Sequence, residues 1–214
     1  MDFVHNMDLN RRYTTKANNL YWKQRETGWE EYLGTWQHPH RYFLSHILKQ
    51  LKWISLLEVG CGSGPNLRNI VEMIGGKQLG GVDINPHAIA IAQKTFKGGF
   101  FKVSSGDDIM MTDKSTDITL TDMYLIYIAP LKIKKYLREI QRVTRNNIVL
   151  CEFHSESWWE RLKLRVLSGR HSYNYKKLLP KLGFFDVQLI KVPAFEEALD
   201  NKFRYVIIAR TPKK

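Results

Sequence analysis

Leu56-Leu57-Glu58-Val59-Gly60-Cys61-Gly62-Ser63-Gly64-Pro65-Asn66-Leu67 is an apolar run that ends in a glycine-punctuated turn and restarts as a helix. Trp53 to Val59 is short, apolar and bounded by glycine, which is the pattern of a buried strand. Gly60, Gly62 and Gly64 lack the Cβ that blocks positive φ and close ligand approach, so the backbone turns sharply with its amides exposed. Pro65 suits the first turn of a helix, where its missing N–H costs nothing. From Asn66 to Ile74, the residues Leu67, Ile70, Val71 and Ile74 fall at helical spacing. Strand, glycine turn and helix together build a nucleotide site at a helix N-terminus.

Working outward, Gly75-Gly76 breaks the chain and Gln78 to Ile84 reads as a second strand ending at Asp83. Asp83 lies nineteen residues after Gly64, close to the roughly 20-residue offset at which a carboxylate meets ribose hydroxyls. It serves equally well as a cap for the next helix, Pro86 to Phe96. Phe100 to Val103 is a third strand and runs into Gly106-Asp107-Asp108-Ile109. Asp117 to Leu120 is a fourth, followed by Thr121-Asp122-Met123-Tyr124-Leu125-Ile126-Tyr127. Pro130 to Thr144 is amphipathic, Asn146-Asn147 reads as a turn, and Ile148 to Phe153 is a fifth strand ending near Glu152 and His154. Regular alternation of strands and helices means a parallel sheet with right-handed crossovers. Two final β-like runs, Phe184 to Val192 and Phe203 to Arg210, form an antiparallel hairpin.

The dinucleotide fingerprint requires a third glycine where this chain has Pro65. An acidic residue, one spacer and Gly-x-Gly-x-Gly instead resemble the first motif of class I S-adenosylmethionine-dependent methyltransferases. Asp83, Gly106-Asp107 and the segment after the fourth strand match later motifs of that family in order, from Leu56 to Phe153. The resemblance implies a doubly wound α/β fold with a mostly parallel seven-stranded sheet, a C-terminal antiparallel hairpin and N-terminal helices. It also implies S-adenosyl-L-methionine as cofactor, contacted by Glu58, Gly60, Cys61, Gly62, Gly64, Asn66, Asp83, Ile84, Asp107, Asp108 and Thr121. By the same resemblance Asp107 meets the adenine amino group, with Asp108 its adjacent competitor. Small-molecule members carry a Leu-x-His segment after the fourth strand, and here the His position is Tyr127. The obvious imidazole base is therefore missing, and Asp122, Tyr127 and His154 are the groups left to take a proton.

Residues 1–52 are rich in aromatics, from Tyr13 through Tyr21, Trp22, Trp29, Tyr32 and Trp36 to Tyr42 and Phe43. They read as a helical cap segment, broken at Gly28, Gly34 and His38-Pro39, with Arg41 to Leu51 the best helix. Residues 53–214 form the cofactor domain, and 155–182 an acceptor-side insertion. The chain has net charge +12, of which residues 130–145 and 153–183 carry +5 each. Such basicity suits RNA as well as a plain solvated face. The expected activity is methyl transfer to an O or N atom of a small molecule. Transfer to RNA through the basic segments, and a non-catalytic cofactor-binding module, stand as alternatives. Two cysteines make no disulfide framework or metal cluster, no apolar run reaches the length of a membrane span, and the expected location is cytoplasmic.

Overall fold

In the computed structural model, residues 15–195 and 201–212 are described; Tyr13, with the rest of 1–14, and part of the hairpin connection lie outside them. Seven strands, β1 (Ser55–Val59), β2 (Gln78–Asp83), β3 (Phe100–Val103), β4 (Thr116–Asp122), β5 (Thr144–Phe153), β6 (Phe185–Lys191) and β7 (Arg204–Arg210), form one sheet. Their order is β3-β2-β1-β4-β5-β7-β6. The first five are parallel, and β7 is reversed between β5 and β6. Among the described residues, eight α-helices accompany them: α1 (Thr15–Gln24), α2 (Trp29–Gly34), α3 (Pro39–Lys49), α4 (Pro65–Met73), α5 (Pro86–Thr95), α6 (Ile133–Val143), α7 (Trp158–Ser168) and α8 (Tyr175–Leu178).

The sheet buries both faces, as a parallel sheet must. On one face Ile133, Tyr136, Leu137 and Ile140 of α6 pack on Leu57, Val59, Ile148 and Leu150. On the other, Leu67 and Ile70 of α4 and Ile89 of α5 pack on Leu56, Ile118 and Val149, and Leu44, Ile47 and Leu48 of α3 join the same core. Among the described residues no helix is long and apolar enough to cross a membrane.

Two local expectations are corrected. Asn146-Asn147 is no turn: α6 ends at Val143 and β5 starts at Thr144, so Asn147 sits in the ladder between Ile118 and Arg210. The side chain of Asn146 donates to Asp117 at 3.3 Å, and its carbonyl accepts from the Thr211 amide. Tertiary partners thus satisfy the polar groups that favour turns in isolation. The helix expected from Pro130 begins three residues later, at Ile133.

Candidate active site

The glycine turn lies at the C-terminal edge of the sheet, where open α/β sheets bind ligands. Gly62 and Gly64 adopt φ of +53° and +91°. A Cβ at Gly62 would lie 2.8 Å from Tyr32, and one at Gly64 would lie 2.6 Å from Phe96. Both the dihedral and the space therefore demand glycine there. Pro65 opens α4 at its first position.

Asp83, at the end of β2, reaches this turn. Its Oδ2 accepts from the Gly62 amide and its Oδ1 from the Asn85 amide, each at 2.9 Å. Burial pushes its carboxyl up, and these amide bonds oppose the shift. Asn85 in turn caps α5 through Ala88, so the capping role falls to Asn85 and Asp83 faces the cradle.

Adjacent strands place a carboxylate each near this edge: Asp83 on β2, Glu58 on β1, Asp122 on β4 and Glu152 on β5. Glu58 is buried. Its Oε1 accepts from Asn66 Nδ2 at 2.6 Å, and its Oε2 has no donor among the described residues. Burial raises its pKa to about 8 against the Asn66 bond. Asn66 Nδ2 also donates to Asp122 Oδ2 at 3.0 Å, and Asn66 Oδ1 accepts from Arg41. Asp122 Oδ1 is buried and, among the described residues, unpartnered. Burial works to raise Asp122, but His40, Arg41 and Asn66 outweigh it and hold the carboxyl well below the usual range. Glu152 accepts from Thr121 Oγ1 at 2.8 Å and from the Tyr124 and Leu125 amides at 3.0 Å, and burial raises it to about 8.

Sequence reasoning missed His40 and Arg41. His40 Nε2 lies 3.0 Å from Asp122 Oδ2, and His40 Nδ1 lies 2.7 Å from His38 Nδ1. Burial lowers the His40 pKa, although Asp122 opposes this. A carboxylate only accepts, so His40 Nε2 carries the hydrogen toward Asp122. Neutral His40 accepts from a His38 Nδ1–H, and the His40 amide then loses His38 Nδ1 as its acceptor at 3.3 Å; protonated His40 donates to both partners and that capping bond is kept. The available signal is His38-Pro39-His40-Arg41: besides breaking the preceding helix, proline at the first helical position aims the following residues from the first turn of α3.

The other expected residues divide. Thr121 is buried against Glu152. Tyr127 packs on Trp22 with ring centroids 5.6 Å apart, and burial raises its phenol to about 12. His154 lies among Tyr173, Tyr175 and Tyr205: Nδ1 accepts from the Tyr175 amide at 3.3 Å, and burial lowers its pKa. Asp107 accepts from Lys135 Nζ at 2.8 Å and from Ser105; these outweigh burial and lower its pKa. Asp108 is exposed, Ile84 is half-buried, and Cys61 is a buried thiol. Tyr124, a polar group expected beside Asp122 at the end of the fourth strand, links the turn to the Asp107 loop. Its ring covers Gly60, and its hydroxyl accepts from the Gly106 amide at 3.1 Å. A cleft of about 640 Å³ opens at the opposite, N-terminal ends of β1 to β3, lined by Lys77, Gln78 and Phe100 among others, and does not belong to this site.

The glycine cradle and the undonated oxygens of Glu58 and Asp122 suit a ligand that brings both a ribose and cationic groups. Residues 56–147 match the model of a methyltransferase domain family. No curated protein matches the sequence. Among solved structures, a chain from the complex of a methyltransferase activator with a putative methyltransferase of Haloferax volcanii is 15% identical at TM-score 0.67. That match covers 84% of this chain and 92% of the other. An S-adenosylmethionine-dependent methyltransferase of Methanosarcina mazei is 21% identical at TM-score 0.60, covering 78% and 96%. A putative O-methyltransferase of Nostoc punctiforme is 13% identical at TM-score 0.68, covering 86% and 60%. Residues 56–147 thus belong to the methyltransferase domain family, and the chain as a whole has the class I methyltransferase fold, whose cofactor is S-adenosylmethionine.

Proposed function

We propose that the chain transfers a methyl group to an O or N atom of a small molecule, with the cofactor held between the glycine turn and Asp83, and the acceptor's proton passed through His38 to His40. The carrying observation is the pair of buried oxygens without donors among the described residues, Glu58 Oε2 and Asp122 Oδ1, on either side of Asn66 beside the turn. Asp122 is held ionised, and Glu58, mostly neutral below about 8 without a ligand, is drawn to ionise by a bound cation; the cofactor carries an ammonium and a sulfonium. Asp83 keeps lone pairs for the ribose hydroxyls after accepting its two amide bonds. Asp107, with Asp108 as its neighbour, is the proposed adenine partner, and Ile84 offers the ring an apolar edge.

When bound, S-adenosylmethionine supplies a methyl group already activated by its sulfonium. The protein's main task is then to orient the acceptor and exclude water, and α1, α2 and the loop after β4 are the proposed walls. His40 is neutral under ordinary conditions, and because Asp122 and His38 occupy its two ring nitrogens it takes the Nδ1 proton of His38 as His38 takes the acceptor's. Asp122 stabilises the imidazolium that results, and His38 continues the chain outward. Asp122 is a poor base because its own pKa is depressed, and Tyr127 because its phenolate is disfavoured.

RNA methylation is less favoured, since half of the six cations in the 130–145 segment are already paired rather than turned to phosphates. In the 130–145 segment, Lys135 pairs with Asp107, Arg142 with Glu139 and Asp113, and Arg145 with Asp117. Labelled cofactor offered with a metabolite extract and with total RNA tests the reading: label enters the small-molecule fraction. Label in RNA overturns the acceptor assignment. Cofactor binding with neither pool labelled favours the interaction-module alternative. Asp83→Asn weakens cofactor binding by about tenfold or more in calorimetry, because one acceptor becomes a donor, while the melting temperature moves by only a few degrees.

A further inference from the structure

We propose that α7 is a membrane-surface helix that docks the protein on an anionic lipid bilayer. The helix turns an apolar face to solvent: Trp158 is 67% exposed, Trp159 59%, Leu162 41%, Val166 74% and Leu167 66%. At about 100° per residue, Trp158, Leu162, Val166 and Trp159 fall within a single arc of roughly 100°. Leu164 points the opposite way, into a small core with Ile126, Phe153 and Phe203. A helix anchored by one buried side chain, with its larger apolar face outward, inverts the usual surface pattern.

The helix is preformed. Ser157 caps its N-terminus, accepting from the Glu160 amide at 3.3 Å, and Gly169 closes it in the left-handed conformation. Cations flank the apolar arc, with Arg161 and Arg165 on one side and Lys163 on the other. Arg161 is fixed by the carbonyls of Ser155 and Glu156. Tryptophans at the boundary, aliphatic residues below and cations at headgroup level are what an anionic bilayer surface selects.

Charge complementarity decides among occupants. A second copy of the chain would set Arg161, Lys163 and Arg165 against their own equivalents, on a protein of net charge +12. RNA would satisfy the cations but leave Leu162, Val166 and Leu167 with nothing to stack on. A bilayer satisfies both sets. Docking would set the loop after β4, which Leu164 touches through Ile126, about one helix diameter (roughly 10 Å) from the headgroups. An acceptor could then arrive from the lipid phase.

The test uses the full chain and sedimented vesicles of phosphatidylcholine with and without phosphatidylserine. The chain co-sediments with the anionic vesicles, and brominated lipid quenches its tryptophan emission. Trp158→Ser with Trp159→Ser and Val166→Ser lowers binding by about tenfold or more and removes the quenching. Circular dichroism and melting temperature stay unchanged, because all three side chains are exposed. Lys163→Glu with Arg165→Glu weakens binding to the anionic vesicles without altering the fold. The proposal is overturned if wild-type protein binds neither vesicle, or if the triple variant binds as well as wild type. It is equally overturned if the triple substitution instead abolishes self-association in sedimentation equilibrium or an RNA gel shift. None of these readouts depends on methyl transfer, so the result is separable from the proposed function.

Discussion

Glu58 shows how much a single buried carboxyl can report. Its folded pKa of about 8 lies above the ordinary carboxylate value, so between those values the native state binds more protons than the unfolded chain. Stability is therefore fully favoured below the ordinary value and declines as pH rises toward 8. Glu58→Gln removes the penalty. Thermal melts of variant and wild type should coincide near pH 5 and diverge toward pH 8, with the variant ahead by roughly 1–3 kcal/mol. The same change should weaken cofactor binding, since an amide cannot ionise to meet a cation as Glu58 can. His40 makes a complementary prediction. His40→Gln should lower turnover by about 10²–10⁴-fold with cofactor affinity nearly unchanged, and abolish the loss of rate on the acid side where the imidazole protonates. The place of Asp83 beside the glycine turn was legible in the sequence because its offset from Gly64 is set by one local strand-helix-strand unit. His40 was not: its partner Asp122 is 82 positions away, and only the packing of α3 against α4 brings them together.

At the scale of elements, periodicity and glycine placement located all seven strands, because each is a short apolar run between breakers. They failed where a tertiary partner replaced a local one, as at Asn146-Asn147. The glycine turn was legible for a stricter reason, since Gly62 combines a left-handed backbone with a ring against its missing Cβ. Gly62→Ala should cost about 1–2 kcal/mol from backbone strain and displace Tyr32, with a matching loss of cofactor affinity. Gly34→Ala is the control. It lies in α2 with φ of −59°, and a methyl group added there would meet nothing within 4 Å, so chemical denaturation should find it neutral or stabilised by about 0.4–1 kcal/mol.

Across the whole molecule, fold and acceptor part company. The sheet and its glycine turn carry the proposed cofactor site, whereas the proposed acceptor walls are α1, α2 and the segment after β5, whose residues follow no shared spacing. That is why the sequence named a cofactor and left the acceptor open. The attachment of α1 has a consequence in time. Asn18 and Thr15 bond the loop after β4 across 109 and 114 positions, and Asn85 holds the Trp22 carbonyl. Such long loops close late in folding, and these few bonds with modest burial break early. Amides of α1 should therefore exchange with deuterium well before those of β4 and β5, and slow when cofactor is added. The first of the described helices would then be the last part of the proposed site to assemble and the first to let go.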